Sequence, residues 1–261
     1  MAALRRHGHE PVPISRSQGV DLVAGSGLDA ALTGVDVVID AISAPAADRE
    51  ATVAYFGAAT RNLLRAEQDA GVRHHILLSI VEVHRIVGTA HHSGKREQER
   101  LVSAGDVPWT IVPVTQFFDF GATVATWTES DGTAYLAPLL VQPIAPADVA
   151  EVLVEVAAGP PQGRHRDVAG PDRHDLVDMA RRTHRALGRE MRLIPTWEAI
   201  LGPDMMGDVL LPGPDARTAP TTFDDWLADQ GRTGRGHGRD RARRDDPYDF
   251  QVAGTEAFPT G

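Results

Sequence analysis

Cysteine is absent from this chain, lysine occurs once, aromatic side chains make up only 5% of it and no apolar stretch is long. Without cysteine there is no disulfide, no thiolate metal site and no cysteine nucleophile, which fits a reducing cytoplasm. No run approaches the ~20 apolar residues that a membrane-spanning helix needs, and residues 1–9 lack the charged, then apolar, then small-residue order of a signal peptide. A soluble, cytoplasmic protein without a membrane partner is expected. The net charge is -10 over 261 residues, so no nucleic-acid partner is expected. Length and a hydrophobic content of 42% suffice for one sizeable core with a small appendage and leave the oligomeric state open.

The scarcity of lysine is the more pointed observation. Lys95 is the single lysine among 26 residues that are Lys or Arg, so wherever a plain positive charge would serve, the sequence uses arginine. Arginine is a broad planar fork, whereas lysine is a compact ammonium that fits between two hydroxyls and lends its charge to a neighbouring acid. Position 95 therefore reads as a chemical one. The competing reading is a chance lysine on a solvated helix face, in Ser93-Gly94-Lys95-Arg96-Glu97.

Short apolar runs alternate with helical stretches, the pattern of a βαβ array around a buried parallel sheet. Strands are expected at 11–14, 35–42, 76–80, 109–114, 140–144, 166–168 and 191–194, with 35–42, apolar on both faces, as a central strand. Helices are expected from about Ala47 to Gly71, through Lys95 to Gly105, and over 147–157, 175–187 and 223–227. In the first of these, Val53, Phe56, Ala59, Leu63 and Leu64 carry the apolar spacing and Gly71 is the stop. From Gln230 the chain turns Gly- and Arg-rich and cannot bury enough apolar surface to order itself, so 230–261 reads as a disordered tail.

Ser79-Ile80-Val81, the segment ending in Lys95, Val114-Thr115-Gln116-Phe117-Phe118, the run from Gln142 to Ala150 and Val168-Ala169-Gly170-Pro171 follow one another in a telling order. The succession resembles the atypical short-chain dehydrogenase/reductase proteins of the NmrA-like kind, from residue 1 to about residue 229. The resemblance implies an α/β, Rossmann-like doubly wound parallel sheet over 1–139 that binds NAD(P), with 140–229 as a smaller substrate-side portion. It does not fix a reaction.

Two departures matter. Such proteins begin with a strand and a glycine-rich turn that delivers backbone N–H groups and a helix N-terminus to the cofactor pyrophosphate. Here residues 1–10 look like the tail of the first helix, and Gly25-Ser26-Gly27 follows no adequate strand. Either the true start lies upstream of Met1 or the first strand has been lost. The former is expected, because removing a middle strand leaves unpaired backbone groups on both neighbours. The second departure is His91, which stands four residues before Lys95 where the family has its tyrosine acid. In the family the lysine holds the nicotinamide ribose and lowers that tyrosine's pKa. The i, i+4 spacing keeps His91 and Lys95 on one helix face. Imidazole titrates near neutrality and can act as acid or base, although a nearby ammonium pushes it toward the neutral form. Against this stands a polar surface histidine on a binding-only relative.

Carried onto this sequence, the resemblance makes Lys95, His91 and Ser79 the catalytic candidates, with Ser79 at a strand end where open sheets place ligand contacts. Asp40, Ala41 and Ser43 after the preceding strand, together with Val114 and Lys95, are the candidates for cofactor contact; an ordinary helix cap is the plainer reading of Ser43. Ser15, Arg16 and Ser17 occupy the place where an acidic residue would read the ribose 2′-hydroxyl of NAD. Arginine there suits the 2′-phosphate, so NADP is the expected cofactor and NAD the alternative. Thr115, Gln116, Phe117 and Phe118, followed by Phe120, Trp127 and Tyr135, form an aromatic concentration with polar handles, as a small-molecule substrate site requires. The doublets His74-His75 and His91-His92 have no partner at recognised ligand spacing, so no metal is expected. The expected function is an NADP(H)-dependent oxidoreductase acting on a small organic substrate. The alternative is a non-catalytic, NmrA-like dinucleotide sensor that changes partner binding with redox state.

Overall fold

The structure, a computed structural model, describes residues 1–45 and 48–236. In chain order the elements are α1 (Ala2–Arg6), α2 (Leu28–Leu32), β1 (Val37–Asp40), α3 (Arg49–Ala70), β2 (His74–Ile80), α4 (Ala90–Ala104), β3 (Trp109–Val114), α5 (Phe120–Thr128), β4 (Thr133–Leu136), β5 (Leu140–Val141), α6 (Pro146–Ala158), β6 (Gly163–Arg164), β7 (Val168–Ala169), β8 (His174–Asp175), α7 (Leu176–Ala186), β9 (Arg192–Pro195), β10 (Arg217–Thr218) and α8 (Phe223–Gly236). The main sheet runs β1-β2-β3-β7-β10, with β6 also on β3, and its pairings are parallel. This is the Rossmann-like α/β architecture.

Strands β2 and β3 pair from His75↔Trp109 to Ile80↔Val114. Their apolar side chains are buried on both faces because helices cover both. Ile76, Val112 and Val114 pack on Val149, Val152 and Val156 of α6. Leu77 and Ile111 pack on Val102 of α4 and Leu64 of α3. Helix α3 begins where the Asp48 side chain accepts the Ala51 N–H and ends at Gly71, whose φ of 74° turns the chain out of the helix. The expected start at Ala47 lies outside the described residues. Helix α4 is capped by Thr89, which accepts the His92 N–H.

Several expected strands differ. The run 35–42, expected at the centre of the sheet, is a strand only over Val37–Asp40 and lies at the sheet's edge, paired with β2. Residues 11–14 are irregular, since Pro11 and Pro13 have no N–H to give a ladder; a 3₁₀ turn, Arg16–Gln18, follows. Among the described residues no strand precedes β1. The run 140–144 contracts to Leu140–Val141, with Ile144 reaching Phe117 through an isolated bridge.

Strands β6, β7 and β10 extend the N-terminal sheet beyond β3, so the sheet crosses the boundary at 139/140. The remaining C-terminal elements gather a second core in which Phe118, Leu176, Met179 and Phe223 are buried together. Helix α8 reaches Gly236, so residues 230–236 of the expected tail are helical; residues 237–261 lie outside the described residues.

Helices α3 and α4 meet at Gly94. A Cβ there would stand 2.2 Å from Phe56 Cδ2 and 3.1 Å from Thr52 Cγ2, and Phe56 is fully buried. Alanine gains about 1 kcal/mol of helix propensity over glycine, but overpacking of a closed core costs about 1–3 kcal/mol. Gly94→Ala should therefore lower stability in urea unfolding, and should cost less in a Phe56→Leu background, where the ring is gone. An alanine variant as stable as the parent in both backgrounds would show that the ring yields freely.

Candidate functional site

A cavity of about 670 Å³ opens at the carboxyl ends of β1, β2 and β3, in the crevice where open parallel sheets receive ligands. One wall is formed by residues 41–45 after β1, 78–80 of β2, 114–117 at the end of β3, Thr52 of α3, and Thr89, His91, His92 and Lys95 at the start of α4. The facing wall is apolar: Phe120 and Trp127 of α5, then Ile200, Leu201, Met205 and Leu210. Ile42 and Ser43 also line a neighbouring cavity of about 240 Å³ with Ser15, Arg16 and Tyr55.

Most of the residues singled out in the sequence converge here. Lys95, His91, Ser79, Ala41, Ser43, Val114, Thr115, Gln116 and Phe117 line the larger cavity, and Ser15 and Arg16 the smaller. Asp40, Ser17 and Phe118 line neither. Phe118 is instead in the second core, 5.4 Å from the Phe223 ring and 5.7 Å from Trp226, because its N–H bonds to Ile144 O and turns the chain that way. Ser17 shares a hydrogen bond with Ser15 on the exposed 3₁₀ turn, and Tyr135 is exposed.

Lys95 is buried. Its Nζ donates to Gln98 Oε1 at 2.7 Å and lies 5.4 Å from the centre of the Phe56 ring. Gln98 Nε2 in turn donates to Asp40 Oδ2 at 2.7 Å, and Asp40 Oδ1 accepts the Ile42 N–H at 3.0 Å. Burial pushes the Lys95 amine down to about 8, against the opposing pull of Asp40 and Glu99. His91 stands edge-on to Phe56 at 5.7 Å. Burial, then the Lys95 ammonium, hold it down to about 3, so it is a neutral imidazole throughout the physiological range. That charge state opposes the role of protonated acid expected from its position.

The Ser79 hydroxyl donates to Glu99 Oε1 at 2.5 Å, while Glu99 Oε2 meets His84 Nε2 at 3.0 Å and Arg164 Nη1 at 2.9 Å. The serine proton is thus committed to a buried carboxylate. Other cavity residues carry buried polar atoms with no partner among the described residues: Ser43 Oγ, His92 Nε2, Thr115 Oγ1 and Gln116 Oε1. Such atoms cost about 1–3 kcal/mol each when left unsatisfied, so their gathering around one cavity marks it for a polar ligand. At the smaller cavity, Arg16 Nε is 3.7 Å from Asp21 Oδ2 and its side chain is largely exposed.

Thr52, His92 and the 200–210 wall were not foreseen. The wall comes from irregular chain and a 3₁₀ turn, which have no periodicity to read. Gln98 and Glu99 had a signal, standing three and four residues from Lys95 on its own helix face.

Residues 2–160 match the family model described as NAD(P)H-binding. No curated protein sequence matches the chain. Among solved structures, MoeE5 in complex with UDP-glucose and NAD aligns with TM-score 0.63 at 15% identity, over 90% of this chain and 93% of that one. The NADPH complex of the quinone oxidoreductase QOR2 from Escherichia coli aligns with TM-score 0.52 at 18% identity, over 84% and 76%. Triphenylmethane reductase from Citrobacter sp., complexed with NADP(H), aligns with TM-score 0.55 at 14% identity over 77% and 78%; in another structure of that reductase this chain spans 65% of its length. At these identities the likeness is one of fold. The family match takes in well over half of the chain and every strand that ends at the larger cavity, and so the chain belongs to the NAD(P)H-binding family, with the fold of the atypical short-chain dehydrogenase/reductase proteins that its motifs resemble.

Proposed function

We propose that the protein is an NADP(H)-dependent oxidoreductase whose acceptor is a small, neutral organic carbonyl or related compound. The observation that supports this most is the two-sided cavity, with unpartnered polar atoms and a buried lysine on one wall and apolar side chains on the other. Among the described residues no arginine lines that cavity, which favours a neutral acceptor over a nucleotide sugar.

These residues fit a nicotinamide dinucleotide. An ammonium has three N–H donors; Gln98 takes one from Lys95, which leaves two for the ribose hydroxyls. Thr115, Gln116 and Ser43 would offer the remaining polar contacts, and Arg16, which lines the smaller cavity with Ile42 and Ser43, would take a 2′-phosphate. The dinucleotide, when bound, supplies hydride from C4 of its nicotinamide. Lys95 orients that ring through the ribose. His91, being neutral, offers the acceptor oxygen a hydrogen bond rather than a proton, and the proton comes from water. Phe120 and Trp127 keep the apolar part of the acceptor dry. A second reading, the dinucleotide sensor, is favoured by one observation: a neutral His91 stands where the family's acid stands.

The test is NADPH oxidation with a panel of quinones, aldehydes and ketones at saturating cofactor. Lys95→Met should lower kcat/KM by about tenfold or more, a loss of ~1.4 kcal/mol or more, and His91→Phe should lower kcat while sparing NADPH binding. Because the Lys95 amine sits at about 8, activity should hold below that pH and fall above it as the ammonium is lost. No break from His91 should appear between pH 5 and 8, since it is held near 3. A parent that binds NADPH and reduces nothing in the panel gives the sensor reading the field.

Cofactor preference has its own measurement. Among the described residues no glycine-rich turn follows a strand to meet a pyrophosphate, so calorimetric titration of this chain should find weak binding of both dinucleotides, with NADPH ahead of NADH. Arg16→Ala should remove that lead. Asp21→Asn should widen it, by up to about fivefold, since an exposed ion pair holds its partner with about 1 kcal/mol or less. Equal effects on both cofactors would take Arg16 out of the 2′-phosphate site.

A further inference from the structure

We propose that Gln98 and Asp40 are positioning residues that anchor the Lys95 ammonium through an amide bridge and couple it to the cavity loop after β1; its consequence for turnover rests on the oxidoreductase reading above. Lys95 and Gln98 are one turn apart on α4, and Asp40 ends the neighbouring β1. All three are buried, at 4%, 0% and 2% exposure, so the chain they form is shielded from competing water.

The amide can be oriented only one way. Its oxygen faces an ammonium, which has donors alone, and its NH₂ faces a carboxylate, which has acceptors alone. Both contacts are 2.7 Å. A direct ion pair to Asp40 would draw the ammonium against the carboxylate. The bridge keeps the negative charge one residue away, takes a single N–H, and leaves the lysine in the cavity wall. Asp40 has a second task, since its other oxygen holds the Ile42 N–H and Ile42 lines both cavities. One carboxylate thus fixes both the lysine and the loop where the two cavities join.

Other groups act on the same ammonium. Glu99 and His91 share its helix, His75 approaches from β2 and is itself paired with Glu67 at 2.9 Å, and the Phe56 ring faces it from α3. Among the described residues it is Gln98 that hydrogen-bonds to Nζ and connects it to Asp40.

Because Lys95 is the sole lysine, protein labelled with carbon-13 and nitrogen-15 lysine gives one Cε–Nζ signal, and its pH titration reads this amine alone. The parent should titrate near 8. Gln98→Leu and Asp40→Asn should each move the midpoint down, by about one unit, a tenfold loss of proton affinity. Gln98→Glu should move it up, because a carboxylate then touches the ammonium. Unchanged midpoints in folded Gln98→Leu and Asp40→Asn overturn the anchor. Should those two fail to fold, Gln98→Glu decides alone: an upward shift supports the anchor and an unchanged midpoint overturns it. NADPH titration of the same variants separates the two readings. A shifted midpoint with unaltered NADPH binding supports the anchor and sinks the proposed ribose contact of Lys95, whereas lost binding with an unchanged midpoint overturns the anchor.

Discussion

One ammonium taken out of water constrains everything around it. Even after relaxation, burying a charge costs several kcal/mol unless hydrogen bonds and an opposite charge compensate it. At Lys95 the compensation comes from Gln98 directly and from Asp40 and Glu99 at short range. Positive neighbours must then give way. His91 stays neutral, whereas at His75 the lowering effects of burial and of Lys95 are outweighed by the hydrogen bond and charge of the buried Glu67, with a further pull from Asp40, so that it is raised. The polar interior of the sheet's α3/α4 side is thus a set of compensated charges arranged around a single uncompensated task, presenting the lysine to the cavity.

That arrangement depends on backbone more than on side-chain chemistry. Helix α4 comes close enough to α3 for Lys95 to sit beside Phe56 only because residue 94 has no Cβ. Similarly, Gly170 brings its strand end against Pro143, whose carbonyl oxygen would lie 1.8 Å from an added Cβ, and the Gln142 side chain seals the approach by donating to Gly170 O at 2.9 Å. These contacts draw the chain around Gln142 and Pro143 onto the end of the sheet, where the parallel strands have already gathered their loops on one side. The cavity is where helix packing and strand polarity coincide.

The parts of this that could be read in the sequence are those written in local periodicity. The runs at 76–80 and 109–114 are apolar on both faces because helices cover both, and they emerge as β2 and β3 with their core intact. Gly71 and Gly105 end their helices as expected. The position of 35–42 was misread because an apolar run states burial and not neighbours: β1 is covered by helices on its faces and is still an edge. Phe118 was misread for a related reason. Adjacent aromatic residues beyond a strand end give no clue to which turns inward, and here a hydrogen bond to Ile144 decides it. The solitary lysine was the best guide to the site, since a residue type excluded everywhere else reports a local requirement without any need of periodicity. Its partners were legible too, at i+3 and i+4, but only once Lys95 was taken as buried.

His91 carries the remaining tension. An acid must gain and lose its proton near the working pH, and the same ammonium that would hold a ribose makes that harder for an imidazole one turn away. A phenol in that place would be helped by the ammonium, because its charged form is an anion; an imidazole is hindered, because its charged form is a cation. Substituting histidine for the family's tyrosine therefore inverts the electrostatic effect of the lysine while leaving the spacing intact. Chemistry at this site must take its proton from water and use His91 as a neutral hydrogen-bonding group, or the site must bind without turning over. Either way the role proposed for the lysine would stand, since holding a diol requires only donors and charge, and Gln98, Asp40 and Glu99 support the ammonium in its buried place.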